Sequence, residues 1–416
     1  MATTERPDHP DRSTARRPSL LALALVTGIG PFATDTYLAA LPQVREALAT
    51  SSTGAQLTIT GFIVGLAVGQ LVAGPVSDGR GRRGVVVGSA AAFTVVSLLC
   101  VLAPSAALLV LLRVLQGLVA GAGVAVGRAV ISDSHDGPAA AKAFGTLAAI
   151  TLLAPVIAPA IGGLVLQVAD WRAVFGLMGA LGALMLAAAL AGVPETLPPQ
   201  HRQRGGLRAL GARVADLGRD RAFLHPVVVQ CLATAGFFVY IGGSSIVLQG
   251  ALGISSGTYS LVFATNAAAM AATSLAFRLT VVRLGARALR RVGLLTSTAG
   301  ALALLVTSVV ASSGDDGGDP HLGVVWPLLT VVVAGMGFTL PASTVLAQEA
   351  GRRSAGTASS LLGGSGFLVG AAVTPLTGLV GDESVLAMAA LMVPGFVAAT
   401  AVALAPDLRR RAVTAP

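Results

Sequence analysis

Charge is scarce in this sequence. Of 416 residues only 11% are Asp, Glu, Lys or Arg, against roughly a quarter in an ordinary soluble domain, and the mean hydropathy is +0.80. Water cannot be the solvent for most of such a surface. Aromatic residues are also few, 4%, while glycine reaches 51. A large soluble core fills volume with Phe and Tyr, whereas closely nested membrane helices use small residues. The two cysteines, Cys100 and Cys231, lie in apolar runs, so no disulfide framework is implied and they do not identify the compartment. The one lysine, Lys142, follows Ala141, so the Gly-Lys-Ser/Thr of a phosphate loop is missing and ATP is not the expected energy source. His9, His135, His201, His225 and His321 occupy tails, loops or a helix edge without ligand spacing, so neither a metal nor another cofactor is expected. Gly364-x-Gly366 has no strand before it and reads as helix packing rather than a dinucleotide site.

What the chain has in abundance is long apolar runs. A bilayer core of roughly 30 Å takes about 20 helical residues, and such runs recur at 18–40, 54–76, 84–103, 106–128, 142–167 and 173–193. Six more follow at 225–248, 258–279, 292–312, 323–346, 355–379 and 384–405. The expected fold is therefore an all-α polytopic membrane protein of about twelve transmembrane helices. Its expected parts are a tail at 1–17, a six-helix bundle at 18–193, a linker at 194–224, a second bundle at 225–405 and a tail at 406–416. The first run is too long for a cleavable signal, contains Asp35, and precedes eleven similar segments.

The net charge of +9 admits nucleic acid as a partner, but placement gives another account. With the amino terminus inside, roughly 25 of the 28 Lys and Arg residues fall on the cytoplasmic side, leaving Arg45 and Arg172 outside and Arg113 within the bilayer. That asymmetry accounts for the basic charge, so no nucleic-acid partner is expected and both termini are placed in the cytoplasm. The linker carries Arg202, Arg204, Arg208, Arg213, Arg219 and Arg221, with Leu207, Leu210, Val214 and Leu217 at amphipathic spacing, as in a stretch lying on the membrane surface. GRGRRG at 79–84, after the second run, is echoed by RLGARALRR at 283–291, after the eighth. Two homologous halves follow from that echo.

Asp35 is the one acidic residue well inside an apolar run, where a charge costs roughly 2.5–3.5 kcal/mol on insertion scales. It is expected to face a partner or water. Arg113 is the lone deep cation, and both lie about 10 Å below the outer surface when counted at ~1.5 Å per residue. A carboxylate and a guanidinium at one depth suit proton-coupled exchange, with Asp35 as carrier. Arg113 reads either as its partner or as a cross-link between helices. The ladders Gly61-xxx-Gly65-xxx-Gly69 and Gly366-xxx-Gly370 point to close backbone approach. Pro155 and Pro159 remove mid-helix donors and are expected to kink or weaken the fifth helix.

These residues resemble a known family along nearly the whole chain. Gly74-Pro-Val-Ser-Asp78-Gly-Arg-Gly81-Arg82-Arg83 is similar to the loop 2–3 signature of the major facilitator superfamily, whose Asp and Arg residues brace helix ends. Gly79 stands where an Arg commonly follows the Asp, and Arg80 is the candidate to compensate. Arg113-Val-Leu-Gln116-Gly117 resembles the helix 4 motif of proton-coupled members. Ala154-Pro155-Val-Ile-Ala158-Pro159-Ala-Ile-Gly162-Gly163 resembles the helix 5 motif of exporters. Asp35-Thr-Tyr37-Leu38-Ala-Ala-Leu41-Pro42 is similar to the helix 1 motif of the Bcr/CflA subgroup of drug:proton antiporters, as are Phe238-Val-Tyr240-Ile241, Phe263-Ala264-Thr-Asn266-Ala267 and Ala355-Gly356-Thr-Ala358-Ser359-Ser-Leu-Leu362-Gly363.

The resemblance implies two pseudo-symmetric six-helix bundles with a midplane cavity, alternating access, and the bacterial inner membrane as location. It also implies an activity, proton-coupled export of a small amphiphilic drug of the phenicol or bicyclomycin kind, and no enzymatic function. Asp35, Tyr37, Phe238, Tyr240 and Asn266 are the implied cavity wall, each aromatic standing equally for interhelical packing. Some subgroup members carry a second carboxylate two turns before the Asp; here that place is Thr27, which leaves coupling to Asp35 alone and favours a neutral or weakly polar substrate. A monomer is the expected working unit, with protons, substrate and lipid as its partners. Proton symport of a nutrient is the alternative, against which the helix 5 motif argues. Sensor or membrane-enzyme readings lack a soluble domain or an intramembrane His or carboxylate pair.

Overall fold

A computed structural model describes residues 18–135, 137–202, 217–313, 318–351, 355–380 and 384–405. Among them there is no strand and there are twelve long helices. In chain order these are α1 (Leu20–Leu38), α2 (Ser52–Arg80), α3 (Arg82–Val101), α4 (Ala106–Ser134), α5 (Gly137–Val168) and α6 (Trp171–Gly192), then α7 (Arg221–Gly250), α8 (Ser256–Leu284), α9 (Ala286–Ser312), α10 (Leu322–Ala350), α11 (Ala355–Val373) and α12 (Val385–Leu404). Eleven segments are long and apolar enough to cross a bilayer, and α5 contributes the apolar stretch Leu153–Val168.

Polar residues in the short loops start the helices. Ser19, Ser51, Ser105, Asp170, Asp220, Ser255 and Ser384 each accept a hydrogen bond from a first-turn backbone N–H, satisfying donors that no helix can satisfy itself. Two helices start differently. α3 and α9 follow Gly81 and Gly285 at φ 99° and 79°, a left-handed corner that residues with a Cβ avoid. Those glycines sit in the two echoing sequence segments.

The helices run past the apolar stretches that announce them, because backbone hydrogen bonding continues into the interfacial zone. Thus α2 includes Asp78 and Arg80, and α4 reaches Ser134. The first span ends at Leu38, within its expected bounds, and a separate short helix, Leu41–Ala47, follows with Pro42 in its first turn. One expected span breaks. The eleventh ends at Val373, and Leu376–Leu379 forms a separate short helix after Pro375, as a residue without a donor requires. In contrast, α5 stays helical through Pro155 and Pro159. Of the expected amphipathic stretch, only Leu217 falls within the described residues.

Packing repeats between the halves. In the first, α1 packs on α4, α5 and α6, α2 on α4, and α3 on α4 and α6. In the second, α7 packs on α10, α11 and α12, α8 on α10, and α9 on α10 and α12. Adding six to each helix number converts one set into the other. The halves meet where α2 packs on α11 and α5 on α8, a pair of contacts that the same operation exchanges. Glycines set the spacing within each half. A Cβ on Gly65 would stand 2.8 Å from Leu118 N, and one on Gly117 would stand 2.8 Å from Phe62 C, so α2 and α4 are in backbone contact, as small-residue stripes allow.

One end of the bundle carries the basic loops; the other is poor in basic residues, with Arg45 and Arg172 beside Glu46, Asp170 and Asp319. Among the described residues, the hydrogen bonds between halves lie at the arginine-poor end. Gln56 Nε2 donates to Thr377 Oγ1 (2.6 Å), Gly378 N donates to Gln56 Oε1 (3.1 Å), and Gln249 Nε2 donates to Ala39 O (3.2 Å). Gly163 of α5 lies against Ser260 of α8 at the same end, where an added Cβ would stand 2.7 Å from Ser260 Cβ. The seam between the halves is closed there.

Candidate functional site

The seam is flanked by α1 in one half and α7 and α8 in the other, and Asp35 lies in it. Its side chain is 8% exposed and, among the described residues, makes no hydrogen bond or ion pair. Across the seam α1 meets α7, the helix that carries Tyr240. Thr27, two turns earlier, donates to its own helix at Leu23 O (2.8 Å), so no second acidic or freely donating group joins Asp35 from that position.

Arg113 is fully buried but is not the partner of Asp35. Its Nη1 donates to Gln116 Oε1 (2.7 Å) and approaches Ala33 O (3.5 Å), and its Nε donates to Thr58 O (3.3 Å). The guanidinium carbon lies 4.3 Å from the Phe62 ring centroid, 4.8 Å from Tyr37 and 5.7 Å from Phe175, a cage that stabilises a cation by its ring faces. Nη2 has no partner. Tyr37 belongs to the same cluster: it is fully buried, its hydroxyl bonds Thr58 Oγ1 (2.8 Å), and its ring packs on Phe175. The expected Asp35–Arg113 pair is thus not formed, and Tyr37 sits in the core of the first half rather than on the wall beside Asp35. Ala33 and Tyr37 are four residues apart and share a face of α1; Asp35, two residues from each, is turned about 200° away.

Gln116 passes the interaction on, donating to Ser97 Oγ (2.7 Å), which fastens α4 to α3. Gly117 holds α4 against α2, and Gly162 holds α5 against α1, where its added Cβ would stand 3.0 Å from Thr36 C. The proline–glycine segment around Pro155, Pro159, Gly162 and Gly163 therefore lies on both α1 and the α8 side of the seam.

In the second half Tyr240 is buried and stacks on Phe263, with centroids 5.7 Å apart and planes at 10°. Asn266 Nδ2 donates to its hydroxyl (3.0 Å), and Thr330 Oγ1 donates to Asn266 Oδ1 (2.6 Å). Asn266 is fully buried, and both its polar atoms are engaged, so it positions Tyr240. Phe238 is half-buried between Phe237 and Phe367, and its ring lies over Gly370.

A third cluster closes the basic end of the first half. Arg82 Nη1 pairs with Asp78 Oδ1 (2.6 Å) and Nε with Asp133 Oδ2 (3.0 Å), while its backbone N donates to Glu195 Oε1 (2.8 Å). Glu195 also meets Arg202 (3.7 Å), and Arg83 donates to Leu190 O (3.1 Å). Gly81 is needed at the corner twice over, by its φ and because a Cβ would stand 3.0 Å from the Glu195 carboxyl carbon. Gly74 has open space around it. Arg80 takes no part, so it does not replace the missing Arg at Gly79. Asp133, Glu195, Thr330 and Gln56 complete these networks without having been expected. Gln56 alone carried a sequence signal, as a polar side chain inside an apolar span.

Comparison with known proteins agrees with this architecture. The Major Facilitator Superfamily model matches residues 23–375. A Bacillus subtilis protein described as an uncharacterized MFS-type transporter, YdgK, is 31% identical over 384 residues, 89% of this chain and 92% of its own. The bicyclomycin resistance protein homolog of Haemophilus influenzae is 27% identical over 85% of this chain and 86% of its own. The multidrug resistance protein MdtL of Klebsiella pneumoniae is 29% identical over 60% of this chain and 62% of its own. Among solved structures, a peptide transporter superposes with a TM-score of 0.73 at 14% identity over 94% of this chain and 95% of its own. A D-xylose-proton symporter gives 0.69 at 15% over 91% and 96%; both show the fold alone. A multi-pass helical chain with two matching halves, matched by the family model over most of its length, is a member of the Major Facilitator Superfamily, a transporter of small molecules in the bacterial inner membrane.

Proposed function

We propose that this chain exports a small amphiphilic compound, phenicol- or bicyclomycin-like, in exchange for protons, working as a monomer with its basic end and both termini in the cytoplasm. The observation that carries the reading is Asp35, a carboxylate in the seam between the halves with no hydrogen-bond or ion-pair partner among the described residues. A charge there is well solvated only when water reaches it. Taking up and releasing one proton is thereby tied to which end of the seam is open. The seam, closed at the arginine-poor end, presents its other end to the cytoplasm in this orientation. Tyr240, fixed by Asn266, supplies the aromatic wall across from Asp35, Phe238 lies on the α11 side of the same helix, and the Arg113–Tyr37 cluster stiffens the first half. The names of the Haemophilus and Klebsiella relatives support drug efflux.

The test compares wild type, Asp35→Asn and an empty vector at matched membrane levels in a pump-deficient bacterium. Growth is challenged with a phenicol or with bicyclomycin. Wild type should protect and Asp35→Asn should not. In everted vesicles, adding the protective drug should release protons from the acidified lumen only with wild type. Equal protection by both proteins would remove Asp35 from the coupling step, and protection by neither would end the drug-export reading.

A further inference from the structure

Away from the seam, a crevice of about 430 Å³ opens at the basic end between α2, α3 and α4, lined by Val76, Arg80, Gly84, Gly88, Val119 and Ala122 among others. That is the size of a small-ligand site. We propose that it holds an anionic phospholipid of the cytoplasmic leaflet, one acyl chain in the crevice and the phosphate on Arg80; the choice of leaflet rests on the orientation proposed above.

Three observations converge. First, the lining is apolar apart from Arg80 at the mouth and Ser89, whose hydroxyl donates to Val86 O (2.9 Å): a Cβ added at Gly84 or Gly88 would meet nothing within 4 Å, so the wall of α3 is recessed where a side chain would otherwise fill the space. Second, the crevice runs on into lipid-facing surface. Val72, one turn before Val76 on α2, and Leu115, one turn before Val119 on α4, are both exposed. A chain lying in the crevice leaves it along hydrocarbon-facing side chains. Third, Arg80 is exposed and, among the described residues, makes no hydrogen bond or ion pair, although Asp78 and Asp133 lie nearby on Arg82. An unpaired guanidinium over an apolar slot is complementary to a headgroup phosphate joined to a chain.

The full-length chain, purified and delipidated in detergent, is titrated with phosphatidylglycerol or with phosphatidylcholine of the same chains, and bound lipid is counted by native mass spectrometry. Wild type should retain phosphatidylglycerol preferentially. Arg80→Gln should weaken that retention by about five-fold, the effect of one surface cation. Gly88→Leu, for which the structure leaves room, should weaken it by at least as much by filling the slot with the charge intact. Arg283→Gln, at the same end of the other half, should leave it unchanged. Wild-type retention by Gly88→Leu would overturn the proposal by showing attraction without a slot. An equal loss in Arg283→Gln, or no preference between the two lipids, would overturn it by reducing the effect to general surface charge.

Discussion

Gln56 fastens the two halves at the arginine-poor end, and removing it should open that end by a calculable amount. Its amide bonds the Thr377 hydroxyl (2.6 Å) and accepts from Gly378 N (3.1 Å). The latter donor belongs to the first turn of the short helix Leu376–Leu379, which cannot satisfy it internally. Gln56 therefore caps in one half a helix that begins in the other. Gln56→Leu keeps the volume and deletes both bonds. At about 1 kcal/mol net for each, the closed arrangement loses about 2 kcal/mol, which is about 30-fold in population. A wild type about 97% closed at this end would become about half open. The assay is double electron–electron resonance between spin labels at Ala169 and Ala251, exposed residues at this end in opposite halves, with Cys100 and Cys231 replaced. Wild type should show mainly the shorter distance and Gln56→Leu should add a longer one of comparable weight. Superimposable distributions would refute the claim that these bonds hold the seam shut.

Arg113→Ala should abolish transport while the protein still inserts. It should also lower the thermal midpoint, since it empties a cage of three rings and strips Gln116 of a donor, a loss of about 3 kcal/mol or more; normal export by the variant would remove Arg113 from the mechanism. Gly117→Leu has no space against the Phe62 backbone and should cut the yield of folded protein in membranes by overpacking at ~1–3 kcal/mol; an undiminished yield would contradict the backbone contact of α2 and α4. A single cysteine at Gly84 should react with an impermeant maleimide only after cell lysis, and one at Arg45 should react in intact cells. The reverse pattern would invert the orientation.

Depth was legible in the sequence and azimuth was not. Counting ~1.5 Å per residue along an apolar run brings Asp35 and Arg113 to a similar level, but their meeting depends on rotation about the helix axis. A helix buried on most sides, such as α1, has no amphipathic stripe to reveal that rotation. The carbonyl of Ala33 and the ring of Tyr37 show which face of α1 meets Arg113, and Asp35 is on the other. The glycine ladders divide: Gly61, Gly65 and Gly69 do meet the backbone of α4, whereas Gly366 and Gly370 of α11, expected to do the same, face side chains of α7, Gly370 lying against the Phe238 ring. The Arg82 cluster was half legible. Asp78 and Gly81 belong to a recognisable string, whereas Asp133 and Glu195 are 51 and 113 residues away from Arg82 and carry no local pattern.

The contacts that the two halves exchange have an evolutionary consequence. Because α2 packs on α11 and α5 on α8, an unfused six-helix ancestor would have self-associated through an isologous surface, its second helix on its partner's fifth and the reverse. Such a homodimer must repeat every side chain. Fusion into one chain lifts that obligation: Asp35 and the caged Arg113 are found in one half, and the Tyr240–Asn266–Thr330 network in the other. A two-fold dimer would repeat every buried acid; the fused chain has Asp35 on α1 and no acidic residue on the matching helix α7. Fusion thus permits a bundle with a single carboxylate deep in an apolar helix, which no symmetric assembly of the half could possess.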